Sequence, residues 1–237
     1  MNNVNVFEDK YMLAYAAANK TIATLSDIVD KKGRAVWAIA GGSTPELAYQ
    51  IITEQFIDAV DWSKITILIG DERIAPLDSE ESNWHKAEQL LLCHVPEATL
   101  LRPASSLSVN EAADDYNRQL VALLHEELLQ LDVLWLGVGE DGHTLSLFPQ
   151  HDQPGSKNTI VMAIYNAPKP PAERISLTIT AVRFSKQCYI LAAGEAKSNA
   201  LHRAYTDDLP IAQVAQAIEQ EGGIVTWLLD EPAAQLL

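Results

Sequence analysis

Cysteine is nearly missing from this chain. Cys93 and Cys188 stand far apart and outside any Cys-x-x-Cys spacing, which excludes a disulfide framework and a cysteine-based zinc site. That usage fits a reducing compartment, and a cytoplasmic location is expected. Long apolar runs are missing too: no stretch approaches the roughly 18 residues of a membrane span. The opening residues, Met1 to Lys10, lack a basic segment followed by an apolar one, so neither a leader nor a membrane anchor is expected. Cations are scarce, with 17 Lys and Arg against 32 Asp and Glu and a formal net charge of -15. This balance repels nucleic-acid backbones and anionic lipid surfaces, so neither is expected as a partner. It also has a converse. If the substrate is anionic, the few cations must gather at its site, and each Arg or Lys beside a glycine-rich turn gains weight as an anion ligand. Internal repeats, low-complexity linkers and charge blocks are absent as well, and a single domain over residues 1–237 is expected.

What is present reads as α/β. Ala35 to Ala40, Ile65 to Ile69, Val133 to Leu136 and Ile224 to Leu229 are nearly continuous apolar runs, each closed by a turn, as in strands buried on both faces. Helical patterns lie between them, at Glu8 to Val29, Pro45 to Glu54, Asn83 to Leu92 and Asn110 to Leu129. Strands alternating with helices imply parallel pairing through crossovers, hence a doubly wound, mostly parallel sheet flanked by helices. Ile160 to Ile164 and Cys188 to Ala193 add strands. Ile175 to Phe184 fits either type, and Pro168-Lys-Pro-Pro171 predicts a rigid loop.

Chemistry concentrates where strands end, which is where ligands bind in such folds. Ala40-Gly-Gly-Ser-Thr-Pro45 leaves a strand and opens a helix. Its glycines Gly41 and Gly42 permit close approach, and its amides, with the hydroxyls of Ser43 and Thr44, make an anion-binding helix start. Pro45 suits the first helical position. A capped tight turn would use the same residues. Ile69-Gly-Asp-Glu-Arg73 places three charged side chains directly after a buried strand, which packing alone does not explain. Arg73 is the candidate for an anionic substrate or developing oxyanion, with Asp71 or Glu72 orienting it or taking sugar hydroxyls. Lys197 follows a strand and Gly194, and is a candidate phosphate clamp. Lys169 and Arg174, on the proline-rich segment, are weaker candidates, and solvated surface charge accounts for Lys169 as well.

Gly137-Val-Gly139-Glu-Asp-Gly142-His143 satisfies the Gly-x-Gly-x-x-Gly pattern of dinucleotide sites. Pro149 comes too soon for a crossover helix, however, and Val161 to Tyr165 offers no acid for a ribose hydroxyl, so a nicotinamide cofactor is not expected. What remains is an Asp141-Gly-His143 turn at the mouth of the sheet. An imidazole titrating near pH ~6.5 is the best-matched general base in the chain, and its glycine-rich loop favours function over a structural role. The other five histidines lack metal spacing and glycine context. No metal is expected.

Taken in order, Gly41-Gly-Ser-Thr-Pro45, Gly70-Asp-Glu-Arg73, Asp141-Gly-His-Thr144 with Ser146-Leu-Phe-Pro149, and Pro168-Lys-Pro-Pro171 with Arg174-Ile-Ser-Leu-Thr178 resemble the 6-phosphogluconolactonase family. The resemblance spans roughly residues 8–230. It implies a fold like glucosamine-6-phosphate deaminase and hydrolysis of 6-phospho-D-glucono-1,5-lactone without a cofactor, in the oxidative pentose phosphate pathway. It makes His143 the base and puts Gly42, Ser43, Arg73 and Lys197 at the substrate. Asp141 either orients the imidazole or lines the site. A monomer or weak homodimer is expected. Glu140, Leu145 and the Ile74-Ala75 pair depart from the family pattern and bear on fine substrate preference. Two competitors are an amino-sugar-phosphate deaminase or isomerase and a non-catalytic sugar-phosphate sensor. The first carries an acid in a Phe-Asn-Glu-Pro setting after the histidine, where this chain has Leu147-Phe148-Pro149. The second normally follows a basic helix-turn-helix, for which the start at Glu8 leaves no room.

Overall fold

The computed structural model describes residues 3–104, 106–123, 129–150, 159–204, 206 and 208–237. Among them the strands are β1 (Val4–Phe7), β2 (Ala35–Ile39), β3 (Ile65–Ile69), β4 (Asp71–Arg73), β5 (Thr99–Leu101), β6 (Val133–Gly137), β7 (Val161–Ile164), β8 (Arg174–Leu177), β9 (Gln187–Ala192) and β10 (Ile224–Asp230). The helices are α1 (Lys10–Lys32), α2 (Ser43–Ile51), α3 (Asn83–Leu90), α4 (Val109–Val121), α5 (Ile179–Val182), α6 (Ser198–Arg203), α7 (Pro210–Gln220) and α8 (Glu231–Ala234).

Seven strands form one sheet in the order β1-β10-β9-β6-β2-β3-β5, with every pair parallel. Helices flank it: α1 packs on β2, β6, β9 and β10, and α7 on β10. Val133, Leu134, Trp135 and Leu136 are fully buried, as are Ile67, Leu68 and Ile69, so the continuous apolar runs belong to strands covered on both faces. The doubly wound α/β expectation is met. From β2 the chain winds outward through β3 to β5, then returns to β6 on the other side of β2 and continues to β9 and β10. The crevice of such a sheet opens at this reversal, beyond the C-terminal ends of β2 and β6.

Several expectations change in detail. Ile160 to Ile164 does contain a strand, but β7 joins β8 and β4 in a separate antiparallel sheet of order β4-β8-β7. The ambiguous Ile175 to Phe184 divides into the end of β8 and the short α5, broken at Thr178, whose side chain caps the helix. Helix α2 starts at Ser43, so Pro45 is its third residue and not its first. Helix α4 begins at Val109 behind a Ser108–Glu111 capping box and runs to Val121. The end of the helix expected to reach Leu129 lies, at 124–128, outside the described residues, as do His125 and His151. β1, β4, β5, α6, α7 and α8 were not anticipated: the three strands are short or polar.

Two buried tyrosines fix where the functional turns begin. Tyr49 Oη donates to Ala40 O (2.6 Å) and accepts from Ala40 N (3.2 Å). Tyr116 Oη does the same at Ile69, at 2.7 and 3.0 Å. Each hydroxyl satisfies both backbone groups of the residue next to a glycine turn. Burial pushes both phenols far above their ordinary range, so they remain protonated donors.

Candidate active site

A cleft of about 250 Å³ lies at the C-terminal ends of β2, β3 and β6. Its walls begin with Gly41 and Gly42. Gly42 holds φ +107° and sits before the first residue of α2, whose opening amides, Ser43 and Thr44, have no partner one turn back. Pro45 has no amide to offer, and Glu46 N is already bonded to Gly42 O (3.0 Å). The Ser43 side chain instead lines an outer groove with Lys10 and Lys86, and Thr44 is buried. At this turn, therefore, the backbone faces the cleft more than the hydroxyls do.

After β3, the three charged residues separate by role. Asp71 lines the cleft and accepts from Ser146 Oγ (2.7 Å). Glu72 turns away into the protein, where its carboxylate accepts from Asn83 N (2.8 Å), Trp84 N (2.7 Å), Arg73 N (2.7 Å) and Ser82 Oγ (3.1 Å). It caps α3 and takes no part in the cleft. Burial raises its pKa, against the pull of those backbone amides. Arg73 lines the cleft, held through Nη1 by Glu81 O (2.9 Å). Directly opposite it in the β4–β8 register stands Arg174. Like charges facing each other across a strand pair repel, so an anion between them would relieve the pair. Arg174 is 3% exposed. Burial and then the Arg73 charge lower its pKa, with Asp71 opposing. A guanidinium in such surroundings still keeps its proton.

After β6 the glycine pattern opens turns and not a helix: Gly139 N bonds His143 O (2.8 Å) and Gly142 N bonds Gly139 O (2.9 Å). As expected from Pro149, no helix lies between Gly142 and Pro149 among the described residues. The turn folds His143 over Gly139. His143 Nδ1 meets Asp141 Oδ1 at 2.5 Å, and the imidazole packs on Phe148 with centroids 4.6 Å apart. Asp141 does not line the cleft but stands behind the ring. With Nδ1 turned to a carboxylate, Nε2 is the nitrogen left for chemistry. Burial lowers the His143 pKa first; the Asp141 hydrogen bond and charge raise it, Lys169 lowers it and Asp71 raises it, leaving it below its ordinary value. For Asp141 burial pushes upward, but the His143 hydrogen bond and charge, with Lys169, outweigh it and the carboxyl titrates below its usual range.

A sequence profile described as glucosamine-6-phosphate isomerases/6-phosphogluconolactonase matches residues 8–227. The chain belongs to this family. A 6-phosphogluconolactonase of Streptomyces coelicolor is 36% identical over 246 residues, covering 98% of this chain and 93% of its own. The structure of 6-phosphogluconolactonase from Trypanosoma brucei superposes with a TM-score of 0.88 at 25% identity, over 100% of this chain and 99% of that one. A monomeric glucosamine-6-phosphate deaminase superposes at 0.78 over 99% and 100% of the two chains; at 20% identity it speaks for the fold alone.

Within this enzyme family's frame, the cleft gathers His143, Arg73, Arg174, Lys197, Asp71, Gly41 and Gly42 of the anticipated residues. It also includes Lys169, one of the weaker candidates, and adds Asn83 and Thr144, to which no role had been given. Lys197 sits in the turn after β9, half-buried; burial lowers its pKa, Glu140 and Asp141 raise it and Lys169 lowers it. Asn83 packs against Gly41 so closely that a Cβ there would lie 2.7 Å from its Nδ2 and nearer still to Oδ1. The signal for Asn83 was its place next to a capping serine, at the start of a helix facing a charged strand end. Thr144, 1% exposed with a hydroxyl lacking a partner among the described residues, had only its position after His143. Among the described residues no group of three or more His, Cys, Asp or Glu is arranged to hold a metal ion, and no helix is long and apolar enough to cross a membrane.

Proposed function

We propose that this family member hydrolyses 6-phospho-D-glucono-1,5-lactone to 6-phosphogluconate, with His143 as the general base that activates water. The observation that carries the reading is the imidazole with Nδ1 engaged by Asp141, in a cleft whose other charged walls are Arg73, Arg174, Lys169, Lys197 and Asp71.

His143 Nε2 takes a proton from water as the water oxygen bonds to C1 of the lactone. The carbonyl oxygen becomes an oxyanion, held by Arg73 and by amides of the Gly41-Gly42 turn, each well-placed donor contributing about 3 kcal/mol. When the bond from C1 to the ring oxygen breaks, the imidazolium returns its proton to that oxygen. The products are the C5 hydroxyl and the carboxylic acid of 6-phosphogluconate, which ionises by releasing its proton to solvent, and the reaction needs no cofactor. Asp141 orients the ring and balances the transient imidazolium. Lys197, with Arg174, is the candidate to hold the phosphate. The chain acts in the cytoplasm as a single domain over residues 1–237, in the oxidative pentose phosphate pathway, as a monomer or weak homodimer, with no nucleic-acid or membrane partner.

The test is to generate the phospholactone in situ and follow its loss with and without protein, since the lactone also opens spontaneously. His143→Ala is expected to lower kcat by about 10²- to 10⁴-fold, while Lys197→Ala mainly raises KM. Normal turnover by the His143 variant would sink the mechanism. Ammonia release from glucosamine 6-phosphate, with no lactone turnover, would sink the activity.

A further inference from the structure

Resting on the lactonase reading, we propose that Lys169 is a third member of the His143–Asp141 pair: its ammonium shares Asp141 Oδ1 with the imidazole and holds His143 in its neutral, proton-accepting form. Lys169 Nζ donates to Asp141 Oδ1 at 3.4 Å, the same oxygen that takes His143 Nδ1 at 2.5 Å.

The backbone that carries Lys169 is held unusually firmly for a loop. Prolines 168, 170 and 171 restrict its dihedrals. Arg174, buried in β8, then grips three successive carbonyls: Nη2 donates to Lys169 O (2.9 Å) and Pro170 O (3.1 Å), and Nε to Pro171 O (3.1 Å). The same guanidinium lies 5.4 Å from the centroid of Phe148, the ring on which His143 packs. One buried arginine thus fixes both the lysine loop and the platform under the imidazole, so the approach of Lys169 to Asp141 is set by the fold.

The electrostatic consequence follows from the charges around the imidazole. Asp141 in its own turn and Asp71 on β4 favour imidazolium, and Lys169 opposes it. Lys197, after β9, faces Glu140, Asp141 and Lys169, while Arg174 lies over Phe148 and Arg73 pairs with it across β4 and β8. A histidine paired with a carboxylate alone gains proton affinity, which would leave the base protonated and inactive toward lower pH. By drawing on the same carboxylate oxygen, Lys169 weakens that gain without removing the hydrogen bond that orients the ring. The Lys169 and Asp141 side chains are 44% and 36% exposed, so solvent screens the pair and the effect is modest.

The experiment measures kcat against pH for the wild type, Lys169→Met and Lys169→Arg, at saturating lactone and against a protein-free blank. In Lys169→Met the acid-side half-maximum is expected at a pH about 0.5 higher, so the loss of kcat below the limb exceeds that on the plateau by about threefold. Lys169→Arg should restore the wild-type limb. A rise in KM with an unmoved limb would overturn the proposal and make Lys169 a substrate ligand only. A proton NMR titration of the His143 Cε1–H, assigned by its loss in His143→Gln, reads the same change in substrate-free protein. An unchanged midpoint in Lys169→Met would likewise overturn the proposal. Absence of lactone turnover in the wild type would sink the lactonase reading, and the titration would still decide the role of Lys169.

Discussion

Gly139 has no side chain because the His143–Asp141 pair occupies that space. A Cβ there would lie 2.5 Å from Asp141 Oδ1 and closer still to His143 Nδ1. Gly139→Ala must therefore push the imidazole off its carboxylate, and misplacement of about 1 Å is enough to cost about 10²-fold in rate. Steady-state kinetics check this: a kcat within about twofold of wild type would refute the crowding argument. The pH dependence has a definite sign. The proposed base works only when neutral, and burial holds His143 below its ordinary pKa, so the acid limb is expected below pH ~6.5. Asp141→Asn removes a charge that raises the His143 pKa, so its limb should move further toward acid while kcat falls through loss of tautomer control. His143 was legible in the sequence because its glycines and its strand-end position are local. The orientation of Glu72 was not: whether a buried carboxylate faces a cleft or caps a helix depends on where Asn83 and Trp84 lie, ten or more residues on. Nor was the contact of Lys169, a weaker candidate in the sequence, with Asp141, which is distant in sequence and is reached through the grip of Arg174 on the loop.

The strands read best where both faces are covered. β3 matches its expected bounds, and β2, β6, β9 and β10 lie within a residue or two of theirs, because an apolar run between turns admits little else. β4 was hidden because Asp71-Glu-Arg73 has no apolar pattern; it is a strand through its pairing with β8, a tertiary fact. β1 and β5 are short edge strands of the seven-stranded sheet, where pairing on one side suffices. What the periodicity also could not give is the exact place where each functional strand stops. Tyr49 and Tyr116, from α2 and α4, settle that by taking both backbone groups of Ala40 and Ile69 out of further pairing. Tyr116→Phe would leave the Ile69 amide and carbonyl buried without this partner, a loss of about 2 kcal/mol. Urea denaturation measures it, and the same variant should lose kcat/KM, since Gly70 to Arg73 start from that anchor. A stability within about 0.5 kcal/mol of wild type would mean the tyrosine hydroxyl is dispensable.

A molecule with net charge -15 must build its anion site from what little positive charge it has. Arg73, Arg174 and Lys197 are separated by about a hundred residues or by a full strand-loop unit, yet the reversal of winding between β2 and β6 opens one cleft that all three line. The two arginines face each other across β4 and β8, and the charge of Arg73 adds to the cost of the buried Arg174 charge. Phosphate binding should therefore stabilise the whole chain, since it binds the folded state and not the dispersed cations of the unfolded one. At a concentration of inorganic phosphate about a hundred times its dissociation constant, the gain is about 2.7 kcal/mol. For a chain of this length that raises Tm by about 5 to 10 °C. Arg73→Met should cut this gain sharply, while leaving the stability without phosphate much less affected, because the substitution also removes the repulsion with Arg174. Thermal melts with and without phosphate, with chloride at matched ionic strength as the control, decide the matter. An equal rise in chloride, or an undiminished rise in the Arg73 variant, would mean that the cations answer to general screening and that the arginine pair does not bind an anion.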